Sequence, residues 1–270
     1  MWFKNLQIYR LPAPWDIDLA ALETQLSSHT LQSCGASDMQ SIGWTPLRDG
    51  GTLVHAVNKQ WLLALGAEQK LLPTSVVRQF ANDKAKAIEE AEGRKVGRKE
   101  MRDLREQMTQ ELLPRAFVRR RTTWGWIDPV NGWLVIDTSS PAKAEEFLEH
   151  LRKSVEPLPA RMLKLVQSPT GAMTGWVAGN EAPSGFTLDQ DVELRSAEKA
   201  TVRYAKHPLE GEEIPRHIAG GKVVTRLAMT WNDRISFQLA ENFVIKRLAF
   251  LDLLREGSEG QARSEERRGG

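Results

Sequence analysis

The chain has 270 residues, 41% of them hydrophobic and 27% charged, with a formal charge of +2 at pH 7; that is ample apolar material for a core without metal or disulfide support. The single cysteine, Cys34, excludes an internal disulfide framework and any multi-cysteine zinc site. The five histidines form no HExxH or HxxxH pair, no apolar run approaches ~18 residues, and Met1-Trp2-Phe3-Lys4-Asn5 lacks the layout of a signal peptide, so the expected setting is the cytoplasm.

Trp2–Leu11 alternates as a strand would, and Pro12 and Pro14 end it. Asp16 or Asp18 can cap a helix over Leu19–Ser28, with Leu19, Leu22 and Leu26 on one face. Strands follow at Thr52–Val57 and Gln60–Leu65, joined by Asn58-Lys59, a hairpin-length link without the usual glycine. From Pro73 to Leu113 there is no further proline, and Ala, Glu, Lys, Arg and Gln dominate. One or two long helices are expected, broken near Gly93 or Gly97. Apolar residues are sparse between Ala81 and Met101, so this stretch is expected to project as a helical arm.

Pro114 closes the arm, and a hairpin of Thr122–Ile127 and Trp133–Thr138 is expected around Asp128-Pro129-Val130-Asn131-Gly132. Pro141 opens a helix whose apolar face is Ala144, Phe147, Leu148 and Leu151. Beyond Pro157-Leu-Pro159 a second α+β unit is expected. Its elements are a helix at Thr170–Ala178, strands at Thr187–Leu194 and Ala200–Tyr204, and a helix over Leu209–Ala219. Strands at Val223–Trp231, Ile235–Leu239 and Phe243–Leu248 and a last helix at Ala249–Arg255 complete it. Gly257–Gly270 reads as a disordered tail. The fold class is therefore α+β, with a helical arm between two mixed bodies. The expected divisions are 1–72 and 114–157 for a central domain, 73–113 for the arm and 158–256 for a base domain.

No GxSxG, Walker A or GxGxxG sequence is present. Asp128, Asp137 and His150 suit structural roles better than an acid–base set: a turn start, a strand end and a solvated helix position. Cys34 has no visible activating partner and reads as a small half-buried thiol. The basic residues are more informative. Arg115, Arg119, Arg120 and Arg121 fall in an acid-free run linking the arm to the hairpin. Arginine's planar fork suits phosphate, although a solvated or ion-paired connector is the competing explanation. Along the arm Arg94, Lys95, Arg98, Lys99, Arg102 and Arg105 recur at spacings of three and four, diluted by neighbouring glutamates. A third set is Arg203, Lys206, His207, Arg216, Lys222 and Arg226. None resembles a base-reading module, so any nucleic acid would be held through its phosphates.

Several ordered blocks carry a resemblance. They are Met1-Trp-Phe-Lys-Asn-Leu-Gln-Ile-Tyr-Arg-Leu11, Cys34-Gly35, Asp38-Met39, Gly43-Trp44, Leu72-Pro73 and Leu112-Leu-Pro-Arg-Ala-Phe117. They continue at Trp126-Ile-Asp-Pro-Val-Asn-Gly132, Leu151-Arg-Lys-Ser154, Gly220-Gly-Lys-Val-Val-Thr225 and Lys246-Arg-Leu248. Over about residues 1–256 the chain closely resembles the bacterial RdgC family. The resemblance implies a non-catalytic, nucleoid-associated protein without a cofactor. It implies a ring-shaped homodimer that encloses duplex DNA, binds with little sequence preference and restrains RecA-driven strand exchange. A ring would also concentrate charge on an inner face despite a net +2. Lys206-His207 matches a Lys-Gln pair of the family; the lysine is retained and histidine replaces glutamine. Phe117 retains one aromatic of the ring-closing block, and Arg120 stands at a second. The end departs from the family pattern, with Arg255-Glu-Gly-Ser and a charged, glycine-rich stretch where further helices are expected. The DNA-contact candidates are thus Lys206, His207, Arg115, Arg119, Arg120, Arg121, Arg94 and Arg98, with Phe117 at the dimer interface. Two other readings stand beside this one. One is a magnesium-dependent nucleic-acid-processing enzyme using Asp128, Asp137, Glu145 and Glu146; the other is a protein–protein scaffold built on the arm.

Overall fold

The computed structural model describes residues 2–48 and 50–251. They fall into two compact units, each discontinuous in sequence: 16–125 with 147–158, and 2–15 with 126–146 and 159–251. The fold is mixed α and β with antiparallel sheets, in agreement with the α+β expectation.

The first unit begins with α1 (Leu19–Ser27), capped by Asp18, whose Oδ2 accepts the Ala21 N–H at 3.0 Å. Leu22 and Leu26 are buried as expected, but Leu19 stays exposed. Then come β2 (Gln40–Trp44), β3 (Val54–Val57) and β4 (Gln60–Leu71). The link between β3 and β4 works without glycine: Asn58 and Lys59 both take left-handed backbone, φ 50° and 62°, as a two-residue hairpin with the sheet's own twist requires. β4 runs past the expected Leu65 because β3 and β2 pair along it in succession. β3 pairs its first half, Val54 opposite Leu63, and β2 pairs its second, Gln40 opposite Gln69. β2 escapes the sequence pattern because Gln40-Ser41-Ile42-Gly43-Trp44 carries few strand signals. Its Gly43 is required by contact: a Cβ there would lie 2.3 Å from the Leu31 backbone nitrogen.

Two helices follow, α2 (Thr74–Glu92) and α3 (Arg98–Leu112), and the break falls between the two expected glycines. Gly93 ends α2 in the left-handed conformation, φ 65°, and Gly97 precedes α3. The helices share a narrow seam of Val77, Ala81, Ala85, Leu104 and Met108, consistent with the sparse apolar pattern. After a 3₁₀ turn at Leu113–Arg115, β5 (Phe117–Asp128) lies next to β4. It starts five residues before the expected Thr122, so Arg119, Arg120 and Arg121 are on a strand rather than a connector, while Arg115 ends the 3₁₀ turn. The chain returns to this unit within α4 (Pro141–Ser154). There Phe147 meets the Trp44 ring edge-on at 5.3 Å, and Trp44 Nε1 donates to Ser154 Oγ at 2.8 Å.

In the second unit β1 (Gln7–Arg10) lies between β6 (Trp133–Ile136) and the two-residue β7 (Arg161–Met162). The expected strand over Trp2–Leu11 contracts to its second half. Leu6 instead bridges Ile245, and Asp137 accepts the Lys4 and Asn5 N–H groups. The second sheet has the order β12-β11-β10-β8-β9. Its strands are β8 (Phe186–Arg195), β9 (Thr201–Tyr204), β10 (Val223–Trp231), β11 (Ile235–Ala240) and β12 (Ile245–Phe250). One face buries Val192, Leu194, Leu227, Met229 and Leu239 with Met173 and Val177 of α5 (Pro169–Gly179) and Ile214 of α6 (Glu213–Ala219). α6 begins four residues later than expected. β12 includes Ala249 and Phe250, where a helix start was expected. Leu251 is not helical either; positions 252–255 of that helix and the expected disordered tail lie outside the described residues.

Candidate nucleic-acid interface

In the first unit the start of β5 gathers Phe117, Arg119, Arg120 and Arg121, directly after Arg115. Alternation along a strand sends Arg119 and Arg121 to one face and Arg120 to the other. Arg115 and Arg119 are exposed, and Phe117 is 84% exposed. Arg120 is engaged: its Nε lies 2.8 Å from Glu68 Oε1 on β4. Glu68 is only 4% exposed, and its other oxygen accepts the Cys34 N–H at 2.9 Å. The Cys34 amide, joined by Arg120, outweighs desolvation and holds this carboxyl below its ordinary range. Lys70, two residues on, donates to the Ala36 carbonyl at 2.9 Å. The chain around Cys34–Ala36 is therefore pinned to β4 by two nearly buried charged side chains. Glu68 and Lys70 were not singled out in the sequence. The one available signal is a pair of charges interrupting the apolar run of β4.

Arg94 lies in the α2–α3 link and is also engaged. Its Nε is 2.7 Å from Glu92, and its two terminal nitrogens grip both oxygens of Glu100 at 2.7 and 2.9 Å. Glu100 first and Glu92 second push its guanidinium further toward the charged form. The link is closed as well by Glu89, which accepts the Val96 N–H at 2.9 Å. Arg98 opens α3 and is exposed.

In the second unit Lys206 and His207 follow β9. Lys206 is exposed, has φ 53°, and its N–H donates to Asp191 Oδ1 on β8 at 2.8 Å. The His207 ring lies 5.0 Å from that of Tyr204, and its Nε2 is 3.6 Å from Glu213 Oε2. Others of the third basic set are paired: Arg216 with Glu212, and Arg226 with Glu193 at 3.4 Å. Arg203 is exposed opposite Glu193. Asp189 also sits on β8; burial raises its carboxyl, against two contacts from the Thr230 hydroxyl at 3.0 and 3.1 Å and with Asp191 adding to the rise. Asp191 was missed in the sequence, where an acidic residue on an alternating strand reads as a solvated face.

The alternative acidic set has other duties. Asp128 caps its own turn, accepting from the Val130 and Asn131 N–H groups and the Asn131 side chain. Burial pushes its carboxyl up, but these bonds leave it below the ordinary range. Asp137 anchors the N-terminal backbone. Among the described residues no group of three or more His, Cys, Asp or Glu is placed to hold a metal ion. Among them also no helix is long and apolar enough to cross a membrane.

The family model described as "Putative exonuclease, RdgC" matches residues 1–269, past the point where the sequence blocks end. Three similar proteins carry the name recombination-associated protein RdgC. That of Herminiimonas arsenicoxydans is 57% identical, over 99% of this chain and 90% of its own length. That of Janthinobacterium sp. (strain Marseille) is 53% identical over the same shares. That of Dechloromonas aromatica (strain RCB) is 52% identical over 97% of this chain and 88% of its own length. A whole-length model match and relatives at this identity carry the resemblance beyond scattered blocks: the chain belongs to the RdgC family of recombination-associated proteins.

Proposed function

We propose that this protein binds DNA through its phosphate backbone without sequence preference, and that it does so as a ring-shaped homodimer associated with the nucleoid. Occupying DNA in this way restrains RecA-driven strand exchange without catalysis and without a cofactor. The observation that carries the reading is the entry to β5, an acid-free run in which Arg115, ending the 3₁₀ turn, and Arg119, on the strand, both stay exposed. Such a strand presents guanidinium groups with little loss of freedom on binding, which suits phosphate. Lys206 is the second contact, with His207 beside it. Arg98 is a third candidate, on an arm that projects from a central domain. Arg94 and Arg120 are held by carboxylates, so their contribution requires partner exchange; Arg121 belongs with Arg119 on the strand. Phe117 anchors the contact between protomers.

The second reading is a nucleic-acid-processing enzyme, favoured by the word exonuclease in the family description. One experiment separates the two. The protein is incubated with end-labelled duplex DNA, with and without magnesium, and run on native and denaturing gels. A shifted band with intact strands supports the proposal, and strand shortening overturns it. Competition with unrelated duplexes of equal length completes the test. A preference of ~1000-fold for one sequence would exclude phosphate-only recognition.

A further inference from the structure

β8 and β9 pair in register as far as Val192 opposite Tyr204. The next ladder bond runs from the His207 N–H to the Gln190 carbonyl, 3.0 Å long. Two steps along β8 are therefore matched by three steps beyond Tyr204, and one extra residue has to bulge. The left-handed residue in that interval is Lys206, with φ 53°. Side chains other than glycine avoid this region unless something holds them there. The bulge takes the Lys206 N–H off the ladder, and Asp191 Oδ1 receives it at 2.8 Å. The other oxygen of Asp191 faces Gln238 Nε2 at 3.4 Å, and Gln238 is itself almost fully buried on β11. The carboxylate is thus seated by the sheet and grips the backbone of Lys206, which itself stays exposed.

We propose that Asp191 is a positioning residue: it holds the bulge that presents Lys206 to phosphate, and its own negative charge opposes the phosphate that Lys206 attracts. This rests on the phosphate role proposed above for Lys206. The two effects have opposite signs and reside in separable properties of one side chain. The acceptor oxygen orders the loop, whereas the net charge tempers binding. Alanine removes both, while asparagine keeps an oxygen for the Lys206 N–H and removes only the charge.

The test uses the full chain with Asp191→Ala, Asp191→Asn and Lys206→Ala. Amide hydrogen exchange of the 204–208 segment is read without DNA, and binding to a short fluorescein-labelled duplex is read by anisotropy over a salt series. Asp191→Ala is expected to speed exchange at Lys206 and to weaken binding by about two- to threefold net, the roughly fivefold scale of one lost hydrogen bond offset in part by the lost charge. Asp191→Asn is expected to keep exchange slow and to bind about twofold more tightly at low salt, the gain fading as salt screens it. Unchanged exchange in Asp191→Ala overturns the positioning role whatever the DNA does. Weaker binding in Asp191→Asn with exchange still slow overturns the opposing charge, and that variant decides the matter if the alanine form does not fold. Exchange as expected, with no effect of Lys206→Ala on binding, instead overturns the phosphate role of Lys206 and leaves the grip of Asp191 standing.

Discussion

Arg120 and Glu68 meet at 2.8 Å between neighbouring strands, and they share the contact unequally: the arginine side chain is 78% exposed and the glutamate 5%. The carboxylate is the structural partner, because it also holds the Cys34 N–H. Its carboxyl is held low in the fold by the Cys34 amide first and by Arg120, so the unfolded chain binds a proton more readily. This stabilisation is full above the unfolded value near 4.5 and is lost as pH falls through the lower folded value. Glu68→Gln is therefore expected to flatten the acid side of the stability–pH curve below about pH 4.5 relative to wild type. Urea denaturation at a series of pH values reads this directly, and a parallel curve for the variant would assign the acid sensitivity to other carboxylates.

Gly125 marks where β5 passes under Phe147. A Cβ at this position would lie 2.3 Å from the Phe147 ring, and Phe147 is fully buried. Gly125→Ala is expected to cost ~1–3 kcal/mol through overpacking. Adding Phe147→Leu should recover part of that loss, since the smaller side chain vacates the clash. Thermal unfolding of the single and double variants gives the coupling between the two positions.

Salt dependence probes the proposed phosphate contacts. Each phosphate neutralised contributes about −0.9 to the slope of log affinity against log salt. Lys206→Ala is expected to reduce the magnitude of the slope by ~0.9, or by ~1.8 if both protomers of a dimer lose a contact. Arg119→Ala should act likewise, and Arg120→Ala less, because its guanidinium is already paired with Glu68. The changes should be the same for unrelated duplexes. A titration with unchanged slopes in all three variants would remove these residues from the DNA site.

Phe117, 84% exposed beside the 44% exposed Val118, is a large apolar side chain without cover in the single chain. As a dimer anchor it is expected to contribute ~1–4 kcal/mol to association. Phe117→Ala should raise the dimer dissociation constant accordingly, measured by sedimentation equilibrium. A monomeric wild-type protein, or an unchanged constant in the variant, would place the contact between protomers elsewhere.

Local order was legible in the sequence wherever a single residue type imposes it. Asp18 caps α1, Gly93 stops α2, Pro141 starts α4, and Asn58-Lys59 turns a hairpin, because each requirement is met within a few residues of backbone. The narrow seam of α2 and α3 was equally visible, since apolar spacing on a helix directly states how wide a face can be buried. The family was written in blocks of residues whose order along the chain needs no folding to be compared.

Pairing between distant segments was settled only by tertiary structure. β2 is a strand because β4 offers it an edge and Gly43 lets the Leu31 backbone approach, not because its own residues favour extension. The same holds for the candidate site. Arginines that look equivalent as a run become exposed at Arg119 and engaged at Arg120, because alternation along β5 turns one toward Glu68, 52 residues away in the chain. Lys206 gained its left-handed backbone and its partner Asp191 from a strand bulge, 15 residues from that carboxylate. Charge content is a property of sequence, but which charges remain available to a ligand is decided by the partners that folding brings within hydrogen-bond reach.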